Sequence, residues 1–126
     1  MDFNKARPIY QQIIDAYKKA LARGDIGPGD RILSQREYAQ KIKVNPNTVQ
    51  RAYREMEMMG MVATIRGQGT FIVPDPEMQQ KIKKEMAEQV LTYFIEEMHA
   101  LGFKDEEICS LLEEKQKSSK EVVADD

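Results

Sequence analysis

Asn47, Arg51 and Arg54 fall on one face of a helix with 3.6 residues per turn, and Gln50 lies on its flank. These side chains carry the donors and acceptors that match the edges of nucleic-acid bases. An arginine grips guanine through two bonds, and an asparagine or glutamine does the same to adenine. Ser34 and Arg36 lie upstream of this group, and Arg66-Gly67-Gln68 lies downstream. The small hydroxyls of Ser34 and Thr48 suit phosphate, because the free N–H groups and dipole at a helix N-terminus attract anions. Gly67 and Gly69 let a backbone tip come close to a narrow groove, where Arg66 and Gln68 would supply charge and hydrogen bonds. The chemistry implied is recognition of a polyanion with readable edges.

These residues need elements to hold them. Residues 8–23 read as a first helix, with Pro8 suited to the N1 position and Gly24 to the terminator. Ile9, Ile13, Ile14, Tyr17, Ala20 and Leu21 make its apolar face. Gly27-Pro28-Gly29-Asp30 is a loop, and Arg31-Ile32-Leu33 a short strand able to join a later hairpin. Ser34 and Glu37 form a capping-box pattern that opens a second helix, with Tyr38, Ala39 and Ile42 on its buried side. Lys43-Val44 is the turn, and Val44 a core plug. Asn45 as N-cap and Pro46 as N1 start a third helix, in which Val49, Ala52, Tyr53, Met56 and Met59 form the buried face and Gly60 is the stop. Residues 61–65 and 70–73 read as two strands joined by the turn Arg66-Gly67-Gln68-Gly69. The expected fold is mainly α with a small β-hairpin wing.

After the Pro74-Asp75-Pro76 break, residues 77–101 form a long helical pattern with a wide apolar stripe: Met78, Ile82, Val90, Leu91, Phe94, Ile95, Met98 and Leu101. Gly102 stops it. Asp105 is expected to cap a shorter helix carrying Ile108, Leu111 and Leu112. From Lys117 the chain is polar and expected to fray, so the organisation reads as a winged helix-turn-helix domain over 7–75, a helical segment over 76–116 and a flexible tail over 117–126. The stripe is too wide for a lone helix in water, and self-association is favoured over packing within one chain. Ile82, Val90, Leu91, Phe94, Ile95, Met98, Leu101, Ile108, Leu111 and Leu112 are the expected dimerisation residues.

Composition limits the alternatives. Of the 126 residues, 41% are hydrophobic and 32% charged, which suits one domain with a short appendage and a soluble surface. No apolar run is long enough to span a membrane, and the N-terminus lacks a signal-peptide pattern. Cys109 is the single cysteine, so no intrachain disulfide forms, as fits a reducing cytoplasm. Residues 1–75 hold 12 Lys and Arg against 8 Asp and Glu, whereas residues 76–126 hold 7 against 13. The basic half is thus the one that carries the motif, and the acidic half is expected to face away from phosphate. His99 and Cys109 alone do not make a metal site; they read as a surface histidine and a packed cysteine. Met56, Met59, Met78, Met86 and Met98 read as core filler. No nucleophile elbow or phosphate loop supports an enzyme, and no cofactor is expected.

Five segments resemble the GntR family of bacterial transcription regulators in order and separation: Pro8-Ile9-Tyr10-Gln11-Gln12-Ile13, Gly29-Asp30-Arg31, Ser34-Gln35-Arg36-Glu37, Val44-Asn45-Pro46-Asn47-Thr48-Val49 and Gly67-Gln68-Gly69-Thr70-Phe71. The short helical tail resembles the YtrA-type branch. The resemblance implies a cytoplasmic, dimeric winged-helix repressor on a two-fold operator in double-stranded DNA, often one that controls a transporter operon. It carries DNA contacts to Arg36, Asn47, Thr48, Gln50 and Gly67, and helical geometry adds Arg51. Ser34, Arg54, Arg66 and Gln68 complete the candidate interface. Leu33 stands where many relatives have proline, and Gln50 where many have arginine, so the base preference at that point can differ. A two-fold dimer would set its recognition helices roughly 34–36 Å apart. Two short helices enclose no ligand pocket by themselves, so an effector is left open. The alternative is a winged helix that docks on a protein; outward Arg51, Arg54 and Arg66 argue against it, since an apolar patch would be expected there.

Overall fold

The computed structural model describes residues 3–124. Helix α1 spans Ile9–Arg23, and Pro8 takes the N-cap position, one place before the N1 site expected for it. Ile13, Ile14 and Leu21 are buried, while Ile9, in the first turn, stands open to solvent. Gly24 ends the helix with φ 87°, where a side chain would be strained. Strand β1 is the pair Arg31–Ile32, and α2 runs Gln35–Ile42.

The capping box at the start of α2 is complete. The Ser34 hydroxyl accepts from the Glu37 N–H at 3.1 Å, and the Glu37 carboxylate accepts from the Ser34 N–H at 3.3 Å. Tyr38 and Ala39 are buried; Ile42 and the expected plug Val44 are only half-buried. Lys43 closes α2 in the left-handed region at φ 56°, a conformation unusual for a residue with a side chain. Two residues later Asn45 caps α3 (Pro46–Met58), its side chain accepting from the Asn47 N–H at 2.8 Å. Val49, Ala52, Tyr53 and Met56 are buried along one face. Met59, assigned to that face, is exposed instead, because the helix has ended and Gly60 turns the chain at φ 75°.

Strands β2 (Val62–Ile65) and β3 (Gly69–Ile72) form the hairpin. Strand β1 joins the other side of β3, giving a three-stranded antiparallel sheet in the order β1-β3-β2. Arg31 sits opposite Phe71 and Ile32 opposite Thr70; Val62 pairs with Ile72 and Ile65 with Gly69. Ile32, Val62, Thr70 and Ile72 are buried on the sheet, and β2 packs on α3. The buried Thr70 hydroxyl is met by that of Thr64 at 3.1 Å.

Helix α4 spans Pro76–Ala100, and the first compact unit of the chain runs to Glu85 within it. Its opening turns are tied to that unit. The Gln79 amide donates to the Leu21 carbonyl at 2.9 Å, and Ile82 is buried. Ile82 therefore packs within the chain, which removes it from the residues free to meet a second copy.

The second unit begins at Met86. Gly102 (φ 92°) ends α4, and the Phe103 N–H closes back on the Met98 carbonyl at 3.1 Å. Helix α5 runs Asp105–Ala124, past the Lys117 where polar composition suggested fraying; residues 125 and 126 of the expected tail lie outside the described residues. Asp105 is the first residue of α5 and not its cap. Its carboxylate meets His99 Nε2 at 2.7 Å. Ile108 is buried within the chain, but Cys109, expected to pack, is exposed. Val90, Leu91, Tyr93, Ile95, Leu101, Leu111 and Leu112 are exposed, and Phe94 and Met98 half-buried. No helix among the described residues is long and apolar enough to cross a membrane.

Candidate nucleic-acid interface

The outward face of α3 follows from its inward one. With Val49, Ala52, Tyr53 and Met56 in the core, the helical period places Asn47, Gln50, Arg51 and Arg54 outside, and all four are exposed. Thr48 is half-buried, with its N–H donating to the Asn45 carbonyl at 3.0 Å. Asn45 and Pro46 satisfy or remove two of the first-turn donors, while the Asn47 side chain stays free to point outward.

Arg36 is exposed on α2. It lines one open cleft with Gln40, Val44 and Pro46, so it adjoins the start of α3. Ser34 is half-buried, and its hydroxyl serves the capping box. The Ser34 hydroxyl, and then its backbone N–H, hold the Glu37 carboxyl below the ordinary carboxylate range, so the cap is charged at neutral pH. At the hairpin tip Arg66, Gly67 and Gln68 are exposed, with the Gln68 N–H donating to the Ile65 carbonyl at 2.9 Å and Gly67 at φ 79°.

A chain of hydroxyls fixes α3 beneath this surface. Tyr53, buried on α3, donates to the Leu33 carbonyl just before α2 at 2.7 Å. Its single hydrogen is then used, so the 2.7 Å contact with Tyr17 of α1 must have Tyr17 as donor. The rings of Tyr17, Tyr38 and Tyr53 lie 5.2 to 6.1 Å apart in tilted and edge-to-face pairs. Burial pushes the Tyr17 hydroxyl up to about 12, pushes Tyr53 further, and raises Tyr38 as well. The three tyrosines therefore stay neutral and lock α1, α2 and α3 together.

Three features escaped the pattern of residues. Arg51 lies over the ring of Tyr10 on α1, with its guanidinium carbon 3.9 Å from the ring centroid. Arg31 of β1 lies against the backbone of Gly69 where the hairpin turn enters β3; a β-carbon built at Gly69 would come within 2.9 Å of Arg31 Nε. Lys43 adopts its left-handed turn without the glycine or asparagine that would have signalled it. The first two depend on packing between distant segments, for which a single sequence carries no local signal.

Three packed helices, the second and third joined by a short turn, followed by a hairpin that a strand before α2 completes, define a winged helix-turn-helix. The model of the gntR family of bacterial regulatory proteins matches residues 9–72, from the first residue of α1 to the last of β3. The chain belongs to this family, and it is a DNA-binding transcriptional regulator, not an enzyme. It is 45% identical over 106 residues to the HTH-type transcriptional regulator YhcF of Bacillus subtilis, covering 84% of this chain and 88% of that one. It is 38% identical over 101 residues to the HTH-type transcriptional repressor YtrA of the same organism, covering 80% and 73%. Among solved structures it superposes on a GntR family transcriptional regulator from Listeria monocytogenes with a TM-score of 0.85 and 36% identity, over 89% of this chain and 98% of that one.

Proposed function

We propose that the protein is a homodimeric repressor that reads a two-fold operator in double-stranded DNA and works in the bacterial cytoplasm. The observation that carries this reading is the outward face of α3. Asn47, Gln50, Arg51 and Arg54 are exposed together on a helix whose opposite face is locked into the core. In this reading α3 lies in the major groove with Asn47, Gln50 and Arg51 at base edges. Ser34, Arg36 and Thr48 meet phosphates at helix starts, and Arg54 adds backbone charge. The tip Arg66-Gly67-Gln68 enters the adjoining minor groove.

Repression and the dimer draw on different support. Repression is the named role of the similar YtrA protein. Dimerisation is supported by the exposed apolar side chains of the second unit, of which Val90 is 68% and Leu101 72% open to solvent. Isolated leucines are ordinary on a surface, but Val90, Leu91, Ile95, Leu101, Leu111 and Leu112 crowd two consecutive helices. With half-buried Phe94 and Met98 they make an apolar surface of the kind a two-fold interface covers. The operon controlled, with a transporter operon as the expectation, follows from the target sequence once that is known.

The test is binding of the full chain to its own upstream promoter DNA and to scrambled DNA across a salt series, with the mass of free and bound protein from sedimentation. The expected result is promoter binding at least ~10³-fold tighter than scrambled. Its logarithm should fall steeply with that of the salt concentration, with two chains bound per site. Equal weak binding to promoter, scrambled and randomly selected duplexes would overturn the reading.

A further inference from the structure

Arg51 is held on two sides. The Tyr10 ring covers one face of its guanidinium at 3.9 Å, and Glu55, one turn along α3, lies 3.8 Å from its Nε. Its two Nη atoms make no hydrogen bond among the described residues. Those atoms form the edge that grips O6 and N7 of guanine. A long arginine side chain free in solvent spreads over many rotamers and loses that freedom when it binds. Here the ring already restricts it, with the Glu55 carboxylate close by, while its side chain remains 61% exposed. Tyr10 is itself oriented by its neighbour, since the Gln11 amide donates to its hydroxyl at 3.2 Å. Asn47 and Gln50 beside it are adenine-type side chains, and Arg51 is the guanine-type side chain nearest them on α3.

Resting on α3 as the base-reading helix, we propose that Tyr10 is a positioning residue: it holds Arg51 with its Nη edge outward, and so sets a guanine preference at one operator position. A tyrosine on α1 thereby contributes to the specificity of α3. If the stack only fastened α1 to α3, removing the ring would lower stability and leave the sequence preference unchanged. Stability and preference are therefore read separately.

The experiment selects duplexes from random DNA with the full wild-type chain and with Arg51→Ala. It then measures Kd for the enriched duplex and for versions changed at the guanine that Arg51→Ala no longer selects. Wild type should prefer that guanine by roughly 5- to 150-fold, the range of one two-bond contact. Arg51→Ala should abolish the preference, and Tyr10→Phe should keep it. Tyr10→Leu should reduce it by roughly 2- to 5-fold, the worth of an exposed cation–ring contact, with the affinity for the substituted duplexes unchanged. Combining Tyr10→Leu with Arg51→Ala should give the single Arg51→Ala result. Tyr10→Met serves as the ringless variant if Tyr10→Leu melts below the assay temperature. A Tyr10→Leu or Tyr10→Met chain that keeps the full preference overturns the proposal, as does an Arg51→Ala chain that selects the same sequence as wild type. A wild-type chain that enriches no sequence overturns the base-reading role of α3, and this proposal with it.

Discussion

Tyr53 joins three elements through one oxygen: it donates to Leu33 and accepts from Tyr17 while its ring fills the core. Tyr53→Phe keeps the ring and deletes the oxygen, stranding one donor and one acceptor. A loss of about 1–3 kcal/mol in urea-unfolding stability is expected. The same cluster sets the alkaline limit of the fold. Tyrosine in the unfolded chain loses its proton near ~10, whereas burial holds Tyr17 to about 12 and Tyr53 higher. A group whose folded value is raised gives stability that is complete below its unfolded value and is lost as pH rises toward the folded one. Thermal melts should therefore show a Tm level between neutral pH and ~10 and falling above it, with a shallower fall in Tyr53→Phe. At the surface, Asn47→Ala should lower specific DNA affinity by about 1–3 kcal/mol and relax base preference at one position. Arg54→Ala should weaken binding to all sequences alike and reduce the salt slope by about 1. The outward positions of Asn47, Gln50, Arg51 and Arg54 were legible because a helical period with one apolar face fixes the other. The partners of Arg51 and Arg31 were not, because neither Tyr10 nor Gly69 is near in sequence.

Gly69 is where the wing is least tolerant of change. Its φ of 120° excludes an ordinary side chain, and Arg31 lies where the β-carbon would go. Gly69→Ala should lower stability by about 1–3 kcal/mol, as expected for strain in a glycine-only region. Adding Arg31→Ala should relieve only the contact part, a difference that a double-mutant cycle by urea unfolding measures directly. The starts of α2 and α3 were legible to the residue, since Ser34-Glu37 and Asn45-Pro46 are local signals with local mechanisms. The ends were less so. Met59 was assigned to a face that the helix stops short of presenting. Helix α5 continues through Lys117 because lysine, glutamate and glutamine are good helix formers, and polarity alone breaks nothing. Asp105 looked like a cap, but its partner is His99.

Across the whole chain, the polar recognition surface lies in the first unit and the exposed apolar side chains of α4 and α5 in the second. Replacing Leu91 and Ile95 together by Asp puts two charges among those side chains and leaves Ile82, already packed on the first unit, untouched. The double variant should sediment as a monomer that keeps its helical content, with a lower melting temperature because association no longer stabilises the fold. Its operator affinity should then fall to that of a single half-site; an unchanged mass would remove these residues from the interface. The stripe was legible as a surface in need of cover, but the withdrawal of Ile82 and Ile108 into the chain depends on where neighbouring elements lie. The tyrosine cluster also gives the molecule a signal of its own. With no tryptophan among its 126 residues, tyrosine dominates its near-ultraviolet emission. Three of the five rings lie within 6.1 Å of one another. Rings so close exchange excitation before they emit, so the polarisation of this light changes when α1 parts from α3. The chain can thus report the integrity of its own DNA-reading scaffold without an attached label.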